Sequence, residues 1–164
     1  MSAKTKTAAL PVQEPADKVL VVKRTFDAPR ALVYKMWTQP EHLVRWWGCP
    51  RTTSADFKAD FRVGGRFRVV MTLDEGTPHR VTGIYRELKE PEKLVFTWRW
   101  EDADGNLGHE TVVTVTLAEK GTKTELTLHQ AVFETQEMRD AHNEGWCASF
   151  DRLGGHLASG ARLS

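Results

Sequence analysis

Residues 94–101 read LVFTWRWE, and large apolar side chains alternate with mostly polar ones along them. One face of this segment carries Leu94, Phe96, Trp98 and Trp100. A period of two is typical of a β-strand that buries one face and exposes the other. The next residues, 102–106, read DADGN, a composition typical of a hairpin turn. The segment therefore predicts a strand with an aromatic inner face, followed by an antiparallel partner.

Similar strand-like runs continue on both sides of this segment. Turn residues separate them at Gly64-Gly65, at 74–76 (DEG) and at Lys120-Gly121. Short turns between successive strands indicate antiparallel neighbours. The sequence predicts a first strand over residues 18–26 and about six more between residues 52 and 132.

Helical patterns flank the predicted sheet. Asp27 before Pro29 is a candidate N-cap for a first helix that runs to about Trp37. A second short helix is expected over residues 41–47, ended by Gly48 in a left-handed conformation. A long C-terminal helix is indicated by apolar or aromatic side chains spaced by three or four residues, namely Met138, His142, Trp146, Phe150, Leu153 and Leu157.

The order of elements predicts an α+β fold. A sheet with one apolar face has to bury that face against another layer, and the long final helix is the only large apolar partner. We therefore expect a helix-grip fold, in which a curved antiparallel sheet of six to seven strands wraps over the C-terminal helix. Residues 1–17 are predicted to be a flexible tail and residues 18–160 a single domain.

Charge and hydropathy exclude several classes of protein. The chain has 23 Lys and Arg against 22 Asp and Glu, so it lacks the basic surplus of a nucleic-acid-binding protein. No apolar run approaches the ~20 residues that cross a bilayer, and the N-terminus lacks the apolar segment of a secretory signal. Two widely separated cysteines do not make a disulfide framework. A cytoplasmic protein with free thiols and no membrane insertion is expected.

The sequence contains no recognisable catalytic or metal-binding motif. The six histidines show no metal-ligand spacing, and neither a nucleophile elbow nor a phosphate loop is present. No cofactor is therefore predicted. His109 has the strand parity to face inward near Trp98 or Trp100. There it could act as an acid or base, anchor the polar end of a ligand, or serve only as a structural histidine.

The aromatic content is the main indication of function. The chain has six tryptophans, and five of them fall where the sheet, the second helix and the C-terminal helix should converge. Large rings can all be core, yet they also pack irregularly and their N–H groups need partners. We expect a partly open apolar cavity, with candidate ligand-binding residues Trp46, Trp47, Phe67, Met71, Tyr85, Trp98, Trp100, His109, Trp146 and Phe150.

Short motifs in a fixed order extend this interpretation. They are Phe26-x-Ala28-Pro29-x-x-x-Val33, Thr38-x-Pro40-Glu41-x-Leu43-x-x-Trp46-Trp47-Gly48, Val63-Gly64-Gly65-x-Phe67, Gly83-x-Tyr85-x-Glu87 and Gly145-Trp146-x-x-x-Phe150-x-x-Leu153. In this order and spacing the chain resembles the activator of heat shock protein 90 ATPase homologue-like family, from about Lys18 to Leu157. That family belongs to the START-like, or SRPBCC, superfamily, so the resemblance also implies the helix-grip fold.

Three functions follow as hypotheses. The first is non-enzymatic binding of a small hydrophobic or amphipathic molecule between the sheet and the C-terminal helix. The second is a polyketide cyclase-like or lyase-like enzyme that moves protons with His109. The third is a chaperone-associated, stress-linked protein-binding module, which needs an exposed apolar patch. The resemblance implies a chaperone partner only for relatives with an additional N-terminal domain, and a homodimer is a further expectation.

Overall fold

The computed structural model describes residues 15–160, and it forms a seven-stranded sheet curled around a long helix. Its strands are β1 (Leu20–Phe26), β2 (Thr52–Ala59), β3 (Arg66–Leu73), β4 (Pro78–Lys89), β5 (Lys93–Glu101), β6 (Thr111–Lys120) and β7 (Lys123–Ala131). Its helices are α1 (Arg30–Thr38), α2 (Pro40–Trp46) and α3 (Gln136–Ala158). The predicted α+β helix-grip architecture is confirmed.

All strand pairs are antiparallel, in the spatial order β1-β7-β6-β5-β4-β3-β2. Short turns join successive strands from β2 to β5 and from β6 to β7. The two helices α1 and α2 are inserted between β1 and β2, which carries the chain from one sheet edge to the other. This connection brings α2 against both β2 and α3, so one end of the curved sheet is closed by helices.

Local sequence explains most of the element boundaries. In α2, Pro40 occupies the first helical turn, where its missing N–H costs nothing. In α3, the Oγ1 of Thr135 accepts a hydrogen bond from the N–H of Met138 at 3.1 Å and caps the helix. The prediction that Asp27 caps α1 is wrong, because the helix begins at Arg30 and Pro29 occupies the cap position without a side-chain hydrogen bond.

The inner face of the sheet and the apolar face of α3 form one core. The C-terminal stripe is confirmed at His142, Trp146, Phe150 and Leu153, which are buried, whereas Met138 at its first turn is 39% exposed. The ring of Trp37 lies at the centre of an aromatic cluster, 4.7 Å from Trp46 between ring centroids. Trp37 is therefore a core residue.

One glycine in the sheet is required by close packing. A Cβ on Gly83 of β4 would lie 2.0 Å from the carbonyl oxygen of Thr97 and 2.4 Å from the ring of Phe67. No side chain fits at that position. The absence of a side chain lets the Phe67 ring cross β4 and reach Phe96 at 5.5 Å in an edge-to-face contact.

Of the predicted N-terminal tail, residues 1–14 lie outside the described residues. Ala16–Lys18 forms a short 3-10 helix. The carbonyl oxygen of Ala16 accepts a hydrogen bond from Arg139 of α3, and that of Lys18 accepts one from the N–H of Phe133. These bonds attach the start of the described chain to the beginning of α3.

Candidate binding cavity

A cavity of about 820 Å³ opens at the end of the sheet that α1 and α2 leave uncovered. Its walls come from the end of β3, the start of β4, the end of β5 and the first half of α3. The chain between α2 and β2 supplies Trp47, Gly48, Cys49 and Arg51 to it. Gly48 has φ +137°, a conformation that L side chains rarely adopt, and a Cβ there would lie 2.7 Å from the Thr52 side chain. Glycine is therefore needed where the chain turns from α2 into the cavity wall.

Five of the ten predicted site residues line this cavity, and all five are apolar or aromatic. They are Trp47, Met71, Trp98, Trp100 and Trp146. Met71 and the tryptophans of β5 face inward because they share the strand parity of the buried face. Four indole rings therefore stand in the cavity wall.

The other aromatic candidates fill the opposite end of the sheet. Trp46, Phe67, Tyr85 and Phe150 are buried and do not reach the cavity. Around Phe67 and Tyr85 only about 10 Å³ remains unfilled, close to the volume of one water molecule. Burial raises the pKa of the Tyr85 hydroxyl, with a smaller contribution from Tyr34. These four rings lie outside the cavity because α1 and α2 pack rings such as Trp37 into that end of the sheet.

His109 does not face inward, which corrects a second expectation. Strand β6 begins only at Thr111, so the alternation that would have turned His109 inward does not extend to it. The residue is exposed, and its Nε2 lies 2.6 Å from the carbonyl oxygen of Val132. His109 is therefore not among the residues that line the cavity.

The histidine that does lie at the cavity is His142 of α3. Its Nδ1 lies 2.7 Å from the carbonyl oxygen of Met138, and its Nε2 lies 2.9 Å from the indole Nε1 of Trp100. An indole nitrogen only donates and a carbonyl only accepts, so the ring is the neutral tautomer protonated at Nδ1. Burial lowers the pKa of His142, and the hydrogen bond to Met138 partly opposes that shift.

Sequence reasoning placed His142 on the apolar stripe of the helix but assigned it no role in the site. The sequence feature that could have indicated a role is the inward position of this histidine on the stripe, opposite the tryptophans of β5. The 3.6-residue period identifies the inner face of the helix. It does not show which strand residue the side chain meets.

Trp146 is hydrogen-bonded to a buried polar pair, Gln130 and Thr111. Its Nε1 donates to Oε1 of Gln130 at 2.8 Å, and Nε2 of Gln130 donates to Oγ1 of Thr111 at 2.8 Å. Gln130 is fully buried on β7. This chain of hydrogen bonds fixes the orientation of the Trp146 indole in the cavity wall.

Charged side chains lie around the mouth of the cavity and most have partners. Arg51 forms ion pairs with Asp74 and Glu75 of the β3–β4 turn. Asp102 accepts hydrogen bonds from the backbone N–H groups of Asp104 and Asn106, and these bonds hold its pKa below the usual range. Glu144 of α3 is exposed. The cavity is therefore apolar inside and polar at its rim.

Metal-binding groups are not a feature of the described part of the chain. Residues 15–160 contain no group of three or more His, Cys, Asp or Glu side chains arranged to hold a metal ion. Both cysteines are free thiols, and Cys49 is the one that lines the cavity. Within the same residues, no helix is long and apolar enough to cross a membrane.

Comparison with solved structures finds the same fold in several bacterial proteins. The AHSA1 protein from Silicibacter pomeroyi is 26% identical, with 87% of this chain and 99% of that chain covered and a TM-score of 0.77. A protein from Arthrobacter aurescens is 26% identical, with 89% of each chain covered and a TM-score of 0.79. A protein from Chromobacterium violaceum is 25% identical, with 84% and 95% covered and a TM-score of 0.73. No protein of curated function matches the chain significantly.

A family model extends the similarity from fold to family. The model described as activator of Hsp90 ATPase homolog 1-like protein matches residues 27–158, most of the chain. The matched region begins after β1 and ends at the last residue of α3. It therefore includes every residue of the cavity wall, and the resemblance drawn from the sequence motifs is confirmed together with its START-like superfamily. The chain belongs to the family of activator of Hsp90 ATPase homolog 1-like proteins.

Proposed function

We propose that this protein binds a small hydrophobic or amphipathic molecule, without chemical conversion, in the cavity between β3–β5 and α3. The observation that supports the proposal is the cavity itself, about 820 Å³ with walls of Trp47, Trp98, Trp100 and Trp146. Pockets for small ligands commonly enclose about 300–1,000 Å³ and are mostly apolar with a few placed polar groups. The apolar interior accommodates the hydrocarbon part of such a ligand.

The rim suits the polar end of an amphipathic ligand. Arg51, Asp102 and Glu144 stand at the mouth, where a polar group stays hydrated while the apolar part is buried. Burying a polar group without a partner is costly, so an orientation with the polar end outward is favoured. The same rim disfavours large, wholly apolar guests that would remain exposed at the mouth.

Blocking the cavity tests the proposal. Gly145 lies on α3 in the cavity wall, and a Cβ there would approach no closer than 3.9 Å to the Cys49 side chain. Gly145→Leu therefore extends an isobutyl group into the cavity from a position that tolerates a side chain. Gly155→Leu is the matched control, because Gly155 lies on the same helix, away from the cavity, with nothing within 4 Å of its Cβ position.

Tryptophan fluorescence and calorimetry would be recorded while a panel of lipids, flavonoids and polyketides is titrated into the three proteins. We expect saturable binding of at least one panel member by the parent protein and by Gly155→Leu, and binding at least tenfold weaker by Gly145→Leu. Equal binding by Gly145→Leu and the parent would place the ligand elsewhere. A flat response of the parent protein to every compound would refute the proposal.

A further inference from the structure

Two indole rings stack on each other at the floor of the cavity. Trp47 comes from the chain after α2 and Trp98 from β5, with ring centroids 5.7 Å apart and planes inclined by 23°. Both rings line the cavity and both are at least nine-tenths buried. We call Trp47 and Trp98 the floor pair.

The floor pair differs from its neighbours in hydrogen bonding. Three of the four other tryptophans have an acceptor for the indole N–H at 2.8–3.1 Å, with Trp46 donating to Met36, Trp100 to His142 and Trp146 to Gln130. Neither member of the floor pair donates to any residue in the described part of the chain. The N–H of Trp98 is closed off from solvent, whereas that of Trp47 is not among the closed-off groups.

An unpaired buried donor has an energetic cost that a bound molecule can remove. Leaving such a group without a partner costs about 1–3 kcal/mol, and folded proteins pair the large majority of them. Trp37 also has an unpaired N–H, but its ring lies in the core away from the cavity. The Trp47 ring lines the cavity and its N–H is not closed off, so a guest can supply the missing acceptor there.

Charge at the floor indicates what kind of acceptor fits. Two cationic side chains line the cavity: Arg51 is paired with Asp74 and Glu75, and Arg80 lies across from Glu101 in the β4–β5 register. Against them stand the carboxylates of Glu101, Asp102 and Glu144. His142 is neutral, and its Nε2 is occupied by Trp100. A carboxylate lowered to the floor would thus enter a cavity whose lining carries more negative than positive side chains, and its desolvation would be uncompensated. A neutral carbonyl oxygen accepts hydrogen bonds at a much smaller desolvation cost.

We propose that the ligand of this cavity carries a neutral carbonyl group, as in a ketone, ester or amide, whose oxygen accepts a hydrogen bond from the floor pair. The inference rests on the proposed binding function and specifies its ligand class. Trp47 donates directly from the open cavity.

Two probe molecules of similar shape, one with a carbonyl oxygen and one without, test this inference. 2-Acetylnaphthalene carries a ketone oxygen where 2-isopropenylnaphthalene carries a CH2 group of similar shape. Dissociation constants would be measured by competition against a fluorescent apolar reporter, for the parent protein and for Trp47→Phe and Trp98→Phe. Phenylalanine keeps an aromatic floor and removes the donor, and thermal unfolding would verify that each variant is folded.

We expect the parent protein to bind the ketone about three- to tenfold more tightly than the alkene, which is the net worth of one hydrogen bond. Trp47→Phe should remove most of this preference, measured as the ratio of the ketone and alkene dissociation constants within the same variant. In a ¹⁵N spectrum of the parent protein, at most two of the six indole N–H signals should move downfield with the ketone and not with the alkene.

The outcomes separate this inference from the function on which it rests. Equal affinity for the two probes would overturn the carbonyl assignment and leave apolar binding standing. A ketone preference that survives in both phenylalanine variants, or the absence of any ketone-specific indole shift, would overturn the role of the floor pair. If neither probe binds and the wider panel is also silent, both proposals fail.

Discussion

The indole N–H of Trp100 donates to Nε2 of His142 across a 2.9 Å hydrogen bond that joins β5 to α3 in the cavity wall. The two rings also meet edge to face, with centroids 5.6 Å apart. This hydrogen bond requires an unprotonated Nε2. The geometry of the wall is therefore coupled to the protonation state of one buried histidine.

Stability should fall as the pH is lowered from about 7.5 to 5. The folded-state pKa of His142 lies below the ordinary histidine value of about 6.5 because burial disfavours the charged ring. The unfolded chain then binds more protons than the folded chain as pH drops below 6.5. His142 thus contributes stability that is fully present above that pH and is lost as pH falls toward the folded-state pKa. The free energy of unfolding, measured by urea titration at a series of pH values, would show this loss.

The variant His142→Phe would isolate this contribution. Phenylalanine keeps a ring against Trp100 and removes the titrating group, so the fall in stability between pH 7.5 and 5 should become smaller. Some dependence should remain, because the pKa of His156 is also lowered, first by burial and then by the charges of His42 and Arg45. An unchanged pH profile in His142→Phe would contradict the assignment.

Two glycine-to-alanine substitutions should have effects of opposite sign. Gly83→Ala would place a Cβ 2.0 Å from the carbonyl oxygen of Thr97, so we expect a loss of at least about 2 kcal/mol of unfolding free energy. Gly155→Ala meets nothing within 4 Å and gains helix propensity, which should add about 0.5–1 kcal/mol. Chemical denaturation of both variants would measure the contrast, and destabilisation by Gly155→Ala would show that α3 needs that glycine.

Removing the buried hydrogen bonds of Gln130 to Trp146 and Thr111 should lower the free energy of unfolding. Gln130→Leu leaves the N–H of Trp146 and the hydroxyl of Thr111 without partners in the core, at a cost of about 2–4 kcal/mol for the two groups. Thr111→Val is the control, since it removes one hydrogen bond and leaves Gln130 bound to Trp146. We expect it to cost less than half as much in urea denaturation. Similar losses for the two variants would mean that the Trp146 bond contributes little.

The two free cysteines should respond differently to a bound ligand. Cys49 lines the cavity, whereas Cys147 lies outside its wall, with its Sγ 3.7 Å from the Oδ1 of Asn143. A saturating ligand should slow alkylation of Cys49 by iodoacetamide at least severalfold and leave the rate at Cys147 unchanged. Peptide mass spectrometry would separate the two rates. Equal protection of both thiols would indicate a global change and not occupancy of the cavity.

Local periodicity made the fold predictable. The alternation in residues 94–101 places Trp98 and Trp100 on the buried face, and the structure has them there. The spacing of Trp146 and Phe150 likewise identifies the inner face of α3. Both patterns depend on the repeat of the backbone itself, which is two residues for a strand and 3.6 for a helix. Each pattern applies only within its strand or helix. His109 lies before the start of β6 at Thr111, so the alternation does not give its direction.

Only the tertiary structure decides which aromatic rings line the cavity and which fill the core. Phe67 and Met71 share one strand and one face, yet Phe67 is packed beneath α1 and α2 whereas Met71 opens on the cavity. Strand parity is the same for both, so no local pattern separates them. The difference arises from where the helices between β1 and β2 cover the curved sheet. Within each strand and helix, the sequence by itself determined which way a side chain points, because direction follows from the backbone repeat. Free volume depends on how distant segments meet, and only the folded chain sets that.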